Sequence, residues 1–274
     1  MLPDQAANLL RPIAEMSVVP RVETMPLAPL VPAHLYLDGW QERVPEARRE
    51  LYEHVVAEAG ARGIEFALGG AFAAAVYNGR WRDTGSLDLY VLPADRDEMV
   101  EVLSVCGMRD AFDQLPYDRG WIYRGTADGV TVNLIWGMAN QRANVDERWV
   151  ECGPLVHFGG ERLRIVPPEE LIWSKIYVMQ RDRCEWPDVL NLIHALGPHL
   201  DWRHLLERVA DDAPLLKGVL AVFEWLSPDR AAGLPKWLWG ALDRATERRL
   251  ESAASHAELL DTRPWFRPTL PEAA

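Results

Sequence analysis

Ser86, Asp88 and Tyr90 stand two apart in Ser86-Leu87-Asp88-Leu89-Tyr90-Val91. On a β-strand this spacing puts them on one face, while Leu87, Leu89 and Val91 take the other. Strands tolerate aspartate poorly, so a face that carries Asp88 behind a buried leucine face points to a cleft. Upstream, Ala67-Leu68-Gly69-Gly70-Ala71 reads as a strand, a glycine turn and a helix start. Backbone N–H groups at such a turn can meet anionic oxygens, and a carboxylate opposite them can hold a divalent cation. The layout suits the chemistry of a metal-bound phosphate.

With Arg82 and Thr84 lying between, these residues resemble the polymerase-β-like nucleotidyltransferase superfamily, in particular its minimal and AbiEii-type bacterial branch. The pattern there is Gly-Gly, then Arg-x-Thr-x-Asp-x-Asp. Gly69 and Gly70 match the glycines, Arg82 and Thr84 match the arginine and threonine, and Asp88 matches the second metal-binding aspartate. Ser86 stands at the position of the first. The resemblance puts the third carboxylate on a later strand, Val130-Thr131-Val132-Asn133-Leu134-Ile135, at Asn133, with Asp128 in the preceding turn as the nearest alternative. A second motif of the branch, Pro-Glu-x-Leu-Ile-x-x-Lys followed by an Arg-x-x-Asp helix, has its counterpart in Pro168-Glu169-Glu170-Leu171-Ile172-Trp173-Ser174-Lys175 and in Arg183-Cys184-Glu185-Trp186-Pro187-Asp188. The likeness runs from about Ile64 to about Val209. It implies an α+β fold, with a nucleotidyltransferase-like mixed sheet and flanking helices, followed by a helical C-terminal domain.

Nucleotidyl transfer in the superfamily resembles two-metal chemistry, in which carboxylates bridge a cation that activates the attacking oxygen and another that holds the leaving group. Serine hydroxyl and asparagine amide oxygens are neutral and weak substitutes for carboxylates toward Mg²⁺. Each lost contact charge is worth several kcal/mol of cation attraction. Asp88 alone is left as a weak metal ligand. Three functions follow: a repurposed cleft that binds or transforms a small molecule without two-metal transfer; a live transferase moving a nucleotide from a nucleoside triphosphate, with Mg²⁺ carried in by that nucleotide; or a non-catalytic binding protein. The expected acid–base residues are Asp88, Tyr90 and Lys175. The lysine of the second motif reaches toward the triphosphate in the family, whereas its bland role is to pack its stem and lift its ammonium into water. Gly69, Gly70, Arg82, Thr84, Ser86, Asn133 and Trp136 complete the expected cleft.

The elements that must position these residues follow from periodicity. Helices are expected at 45–61, 71–77 and 95–106, and strands at 64–68, 86–92 and 162–166. A hairpin is expected with strands at 121–124 and 130–136 around Asp128-Gly129. Beyond Pro167-Pro168 the pattern is helical, at 169–180, 187–195, 202–209, 215–226 and 236–256. Strands followed by helices argue for an α+β domain over 41–166 and a helical one over 167–260, flanked by a proline-rich arm (1–40) and a tail (261–274).

A formal charge of −12 over 274 residues argues against general nucleic-acid binding, which needs clustered Lys and Arg; it leaves room for a local basic pocket, with Arg80 and Arg82 as candidates. The expected partner is a small molecule. No apolar run approaches a membrane span and no signal peptide is apparent. The three cysteines (Cys106, Cys152, Cys184) read as free thiols of a reducing cytoplasm. His34, His54 and His194 lack paired ligand spacing, and most of the twelve tryptophans should be core. Asp188 reads as a helix-start residue facing the dipole.

Overall fold

The computed structural model of the chain describes residues 44–251 and 256, apart from 83, 115 and 180–182. The expected arm (1–40), the tail (261–274), His34 and the end of the last helix lie outside the described residues. The described residues belong to one compact unit, Val31–Ala274.

Alternation of apolar and polar residues yields a seven-stranded mixed sheet. Its strands are β1 (Phe66–Leu68), β2 (Ser86–Val91), β3 (Arg109–Asp110), β4 (Ile122–Ala127), β5 (Val130–Ile135), β6 (Leu155–Phe158) and β7 (Glu161–Ile165), in the spatial order β3-β4-β5-β2-β1-β7-β6. β2 runs antiparallel to β1 and parallel to β5, and β1 runs parallel to β7. The β4–β5 hairpin turns at Asp128 and Gly129, both with positive φ (48° and 76°). This is the handedness that matches the twist of the strands, and it suits Asp-Gly.

One sheet face is closed. Leu87 and Leu89 of β2 and Val132 and Leu134 of β5 are fully buried. Helix α3 (Arg96–Val105) lies over this face: its Leu103 sits where a Cβ on Gly125 of β4 would be, at 2.8 Å. Helix α1 (Glu46–Ala61), with Tyr52, Val55, Val56 and Ala59 inward, packs beside α3. Burying these side chains is worth roughly 1.5–3 kcal/mol each and dominates the favourable side of folding.

The opposite face carries the polar row of β2. It is framed by α2 (Gly70–Asn78), by α4 (Glu147–Glu151), whose Trp149 stacks on Tyr90 at 5.2 Å between ring centroids, and by α5 (Pro168–Ile176). The chain continues as α6 (Trp186–Leu196), α7 (Trp202–Val209), α8 (Ala213–Leu226), α9 (Pro228–Ala231) and α10 (Lys236–Glu251). Among the described residues, no helix is long and apolar enough to cross a membrane. Arg208 of α7 ties the helices to the sheet side: it donates to Asp146, the N-cap of α4, at 2.6 and 2.8 Å, and to the buried Glu170 of α5 at 3.0 Å.

Most expected elements form within a few residues of their expected bounds. Four elements were not foreseen: β3, β6, α4 and α9. Each has five residues or fewer, too short for a period to show; pairing and packing create them. Helix α5 stops at Ile176, earlier than the expected 180, with Tyr177 as its cap.

Trp149 is fully buried and braces Tyr90 from behind. Trp149→Ala should therefore lower unfolding free energy by about 3–5 kcal/mol, read from the shift of the urea midpoint at constant slope.

Candidate functional site

The site begins where β1 runs into α2. The Gly69 N–H donates to the Asp88 carbonyl at 2.8 Å, fastening the turn to β2. Gly70 adopts φ +58°, and a Cβ there would lie 2.0 Å from Asp88 Oδ2. A Cβ on Gly69 would fall 2.1 Å from the Tyr90 ring. The two glycines are required because the side chains of Asp88 and Tyr90 press directly on the turn.

Register then lays out the floor. Asp88 pairs with Asn133 across β2–β5, and Asn133 pairs with Arg124 across β5–β4. Cross-strand partners share a face, so a carboxylate, an amide and a guanidinium form one row. Ser86, Thr131 and Thr126 form the row on one side of it, and Tyr90, Ile135 and Ile122 the row on the other.

The wall comes from α5 and the segment leading into α6. Lys175 is buried and donates to Glu185 Oε2 at 2.6 Å and to Asp188 Oδ2 at 2.9 Å. Arg82, coming from the sheet side, grips the same Asp188 with both terminal nitrogens, at 3.2 and 3.0 Å. Arg183 Nε donates to Glu185 Oε1 at 2.9 Å. Burial works against ionisation of Glu185, but Lys175 and Arg183 override it and hold its carboxyl down to about 2. Tyr90 goes the other way: burial first, then the Asp88 charge, push its phenol well above the usual value. It is thus a proton donor, not a base, at neutral pH.

Floor and wall enclose a cavity of about 870 Å³, within the usual range for a small-molecule site. Of the expected residues, Gly70, Arg82, Thr84, Ser86, Asp88, Tyr90, Asn133 and Lys175 line it. Gly69 lies beneath the Tyr90 ring and not on the surface of the cavity. Trp136 does not line it. One residue past Ile135, its side chain takes the opposite parity, its Nε1 donates to the Gly120 carbonyl at 2.9 Å, and Arg96 lies over its ring. Asp128 stays exposed at the hairpin tip, away from the cavity. The Lys175 ammonium does not rise into water, because two carboxylates hold it inside. Asp188 is more than a helix-start residue, being the joint between Lys175 and Arg82.

Sequence reasoning passed over Arg124, Arg183, Glu185 and Trp121, all of which line the cavity. Arg124 was within reach: a two-residue turn at Asp128-Gly129 pairs 127 with 130 and therefore 124 with 133. Glu185 had no comparable signal, since its partner Lys175 is set by how α5 and α6 meet.

The donor set does not fit a pair of Mg²⁺ ions. Asp88 Oδ1 already accepts from Ser86 Oγ at 3.3 Å and from Asn133 Nδ2 at 2.7 Å, while Oδ2 lies over the turn, 2.0 Å from where a Cβ on Gly70 would stand. Asn133 turns a donor toward the carboxylate, and an N–H does not ligate a cation. Among the described residues, the lining has four cationic side chains (Arg82, Arg124, Lys175, Arg183) and two carboxylates (Asp88, Glu185), with Asp188 behind Lys175 and Arg82, in a chain whose net charge is −12. Among the described residues, no three His, Cys, Asp or Glu side chains gather as a metal site.

No family model matches the chain, and no curated protein does. Several solved structures are similar to it. One is the solution structure of the antibiotic-resistance factor ANT(2'')-Ia, at 15% identity over 75% of this chain and 100% of that one, TM-score 0.41. Another is the lincosamide antibiotic adenylyltransferase LnuA with lincomycin bound, at 12% identity over 54% of this chain and 96% of that one, TM-score 0.39. A third is a nucleotidyltransferase-like protein from Paracoccidioides brasiliensis, at 14% identity over 68% and 91%, TM-score 0.39. These are likenesses to nucleotidyltransferase folds, at TM-scores too low to speak for the site.

The Lys175 cluster should be visible in acid. A carboxyl held below its ordinary 4.5 stabilises the fold above that pH, and the contribution fades as pH falls from about 4.5 through about 2. In urea titrations across this window, Glu185→Gln should lose stability less steeply than the parent. Lys175→Met, which leaves the buried Asp188 with Arg82 alone and the half-buried Glu185 with Arg183 alone, should destabilise the fold at neutral pH by less than the roughly 3–5 kcal/mol of a wholly uncompensated buried charge.

Proposed function

We propose that this nucleotidyltransferase-like chain uses its cleft to bind or transform a small molecule without two-metal nucleotidyl transfer. The observation that carries the reading is the state of Asp88. Its Oδ1 accepts from the neutral Ser86 and Asn133 donors, and among the described lining residues cations outnumber carboxylates four to two. A cation bridging both carboxylate oxygens would have to displace those donors from Oδ1, and would find neutral groups, not carboxylates, at Ser86 and Asn133.

The same arrangement supports a different use of these residues. Asp88 accepts hydrogen bonds at the cavity floor, and Tyr90 stands beside it on the same face as a protonated donor, so the pair can hold a hydroxyl or amine between acceptor and donor. Lys175, bonded to two carboxylates, shapes the wall and positions Arg82 through Asp188. In this role it is a positioning residue. The boundary between a sheet domain (41–166) and a helical domain (167–260), the cytoplasmic location and the bacterial source belong to the same proposal.

Calorimetric titration of ATP and of GTP into the protein, with Mg²⁺ and then with chelator, tests the reading. The expected outcome is no Mg²⁺-dependent binding in the micromolar range. Mg²⁺-dependent binding that Asp88→Ala abolishes would establish a live transferase instead.

A further inference from the structure

Three of the four cations that line the cavity are engaged on carboxylates: Arg82 on Asp188, Lys175 on Glu185 and Asp188, and Arg183 on Glu185. Arg124 is not. Its Cζ lies 5.5 Å from the centroid of the Tyr117 ring, and no carboxylate pairs with its guanidinium among the described residues. It is half-buried on β4, one strand beyond Asn133 and two beyond Asp88, about 10 Å from Asp88 between backbones.

Two neighbours in the lining have polar atoms left over as well. Among the described residues, Trp121 Nε1 is a buried donor without a partner, and Asn133 Oδ1 is a buried acceptor without one. Between Arg124 and the Asp88 end the lining includes Ile122 and Ile135, from the next row of the sheet. A guanidinium matches a carboxylate or phosphate with two parallel N–H donors, and does so more strongly when partly removed from water.

Building on the metal-free reading above, we infer that the ligand of this cleft is a small organic anion whose carboxylate or phosphate seats on Arg124. Its apolar body lies across Ile122 and Ile135, and a hydroxyl or amine at its far end meets Asp88. The positive excess of the cleft is then matched by ligand charge and not by metal-bridging carboxylates.

Protein-detected NMR titrations of the full chain, in chelator, test this with 4-hydroxybenzoate, phenyl phosphate and the neutral 4-hydroxybenzamide. At least one of the two anions should bind on the order of ten-fold more tightly than the amide, the scale of one charge-assisted contact. The carboxylate and phosphate arms distinguish the two sources of the anion. Arg124→Gln should erase the preference, Arg124→Lys should retain part of it, and Arg80→Gln, which removes a charge outside the cavity, should leave it unchanged. Equal binding of anion and amide, no binding of either anion in chelator or in Mg²⁺, or a preference that survives Arg124→Gln would overturn the inference. Repeating the series with Mg²⁺ in place of chelator separates the two proposals. A requirement for Mg²⁺ would sink the metal-free reading, while the role of Arg124 is read from the variants in either condition.

Discussion

The site depends on one buried ammonium. Lys175 sits between Glu185 and Asp188 at hydrogen-bonding distance from both, and without it each carboxylate would keep only its arginine, Arg183 or Arg82. With it, α5 is locked to the start of α6, and Asp188 is aimed at Arg82 on the sheet side. The wall of the cavity therefore stands at a set distance from the floor. Buried ion pairs are weak sources of net stability, because desolvation offsets attraction. This one is better understood as a geometric constraint, and the favourable energy of the fold comes from the apolar face beneath.

The floor follows a related logic at closer range. Asp88 and Tyr90 come so near the Gly69-Gly70 turn that no side chain fits there. A glycine pair that suggests a phosphate cradle in the sequence is, in the folded chain, also a packing requirement of the strand opposite. Asn133 adds a donor to this floor. Standing where the family pattern leads one to expect a carboxylate, it presents an N–H to Asp88 and keeps its own oxygen buried and unused. In this floor one negative charge, that of Asp88, is met by the donors of Ser86 and Asn133.

Much of this was legible from residue order. Two-residue alternation in 86–91 determined which side chains share a face, the Asp-Gly turn determined the hairpin and hence the row from Asp88 to Arg124, and helical spacing located the main helices to within a few residues. Parity also accounts for the error at Trp136. Once the strand begins at Val130 with its odd-numbered polar residues toward the cleft, residue 136 must point away. These features rest on local geometry, which the chain carries in its own sequence.

What only the tertiary structure decided are the pairings between distant segments: Lys175 with Glu185 and Asp188, Arg82 with Asp188, and the four short elements that packing alone creates. The sign of the cleft belongs to this group. Net charge and composition indicate an acidic protein, yet among the described residues the cavity lining collects four cations against two carboxylates. The physical reason is that an electrostatic environment is set by distances through space. A sequence determines which charges exist and, over a strand or a turn, which way they face; the meeting of sheet and helices determines which of them are neutralised and which, like Arg124, are left without a carboxylate in the cavity.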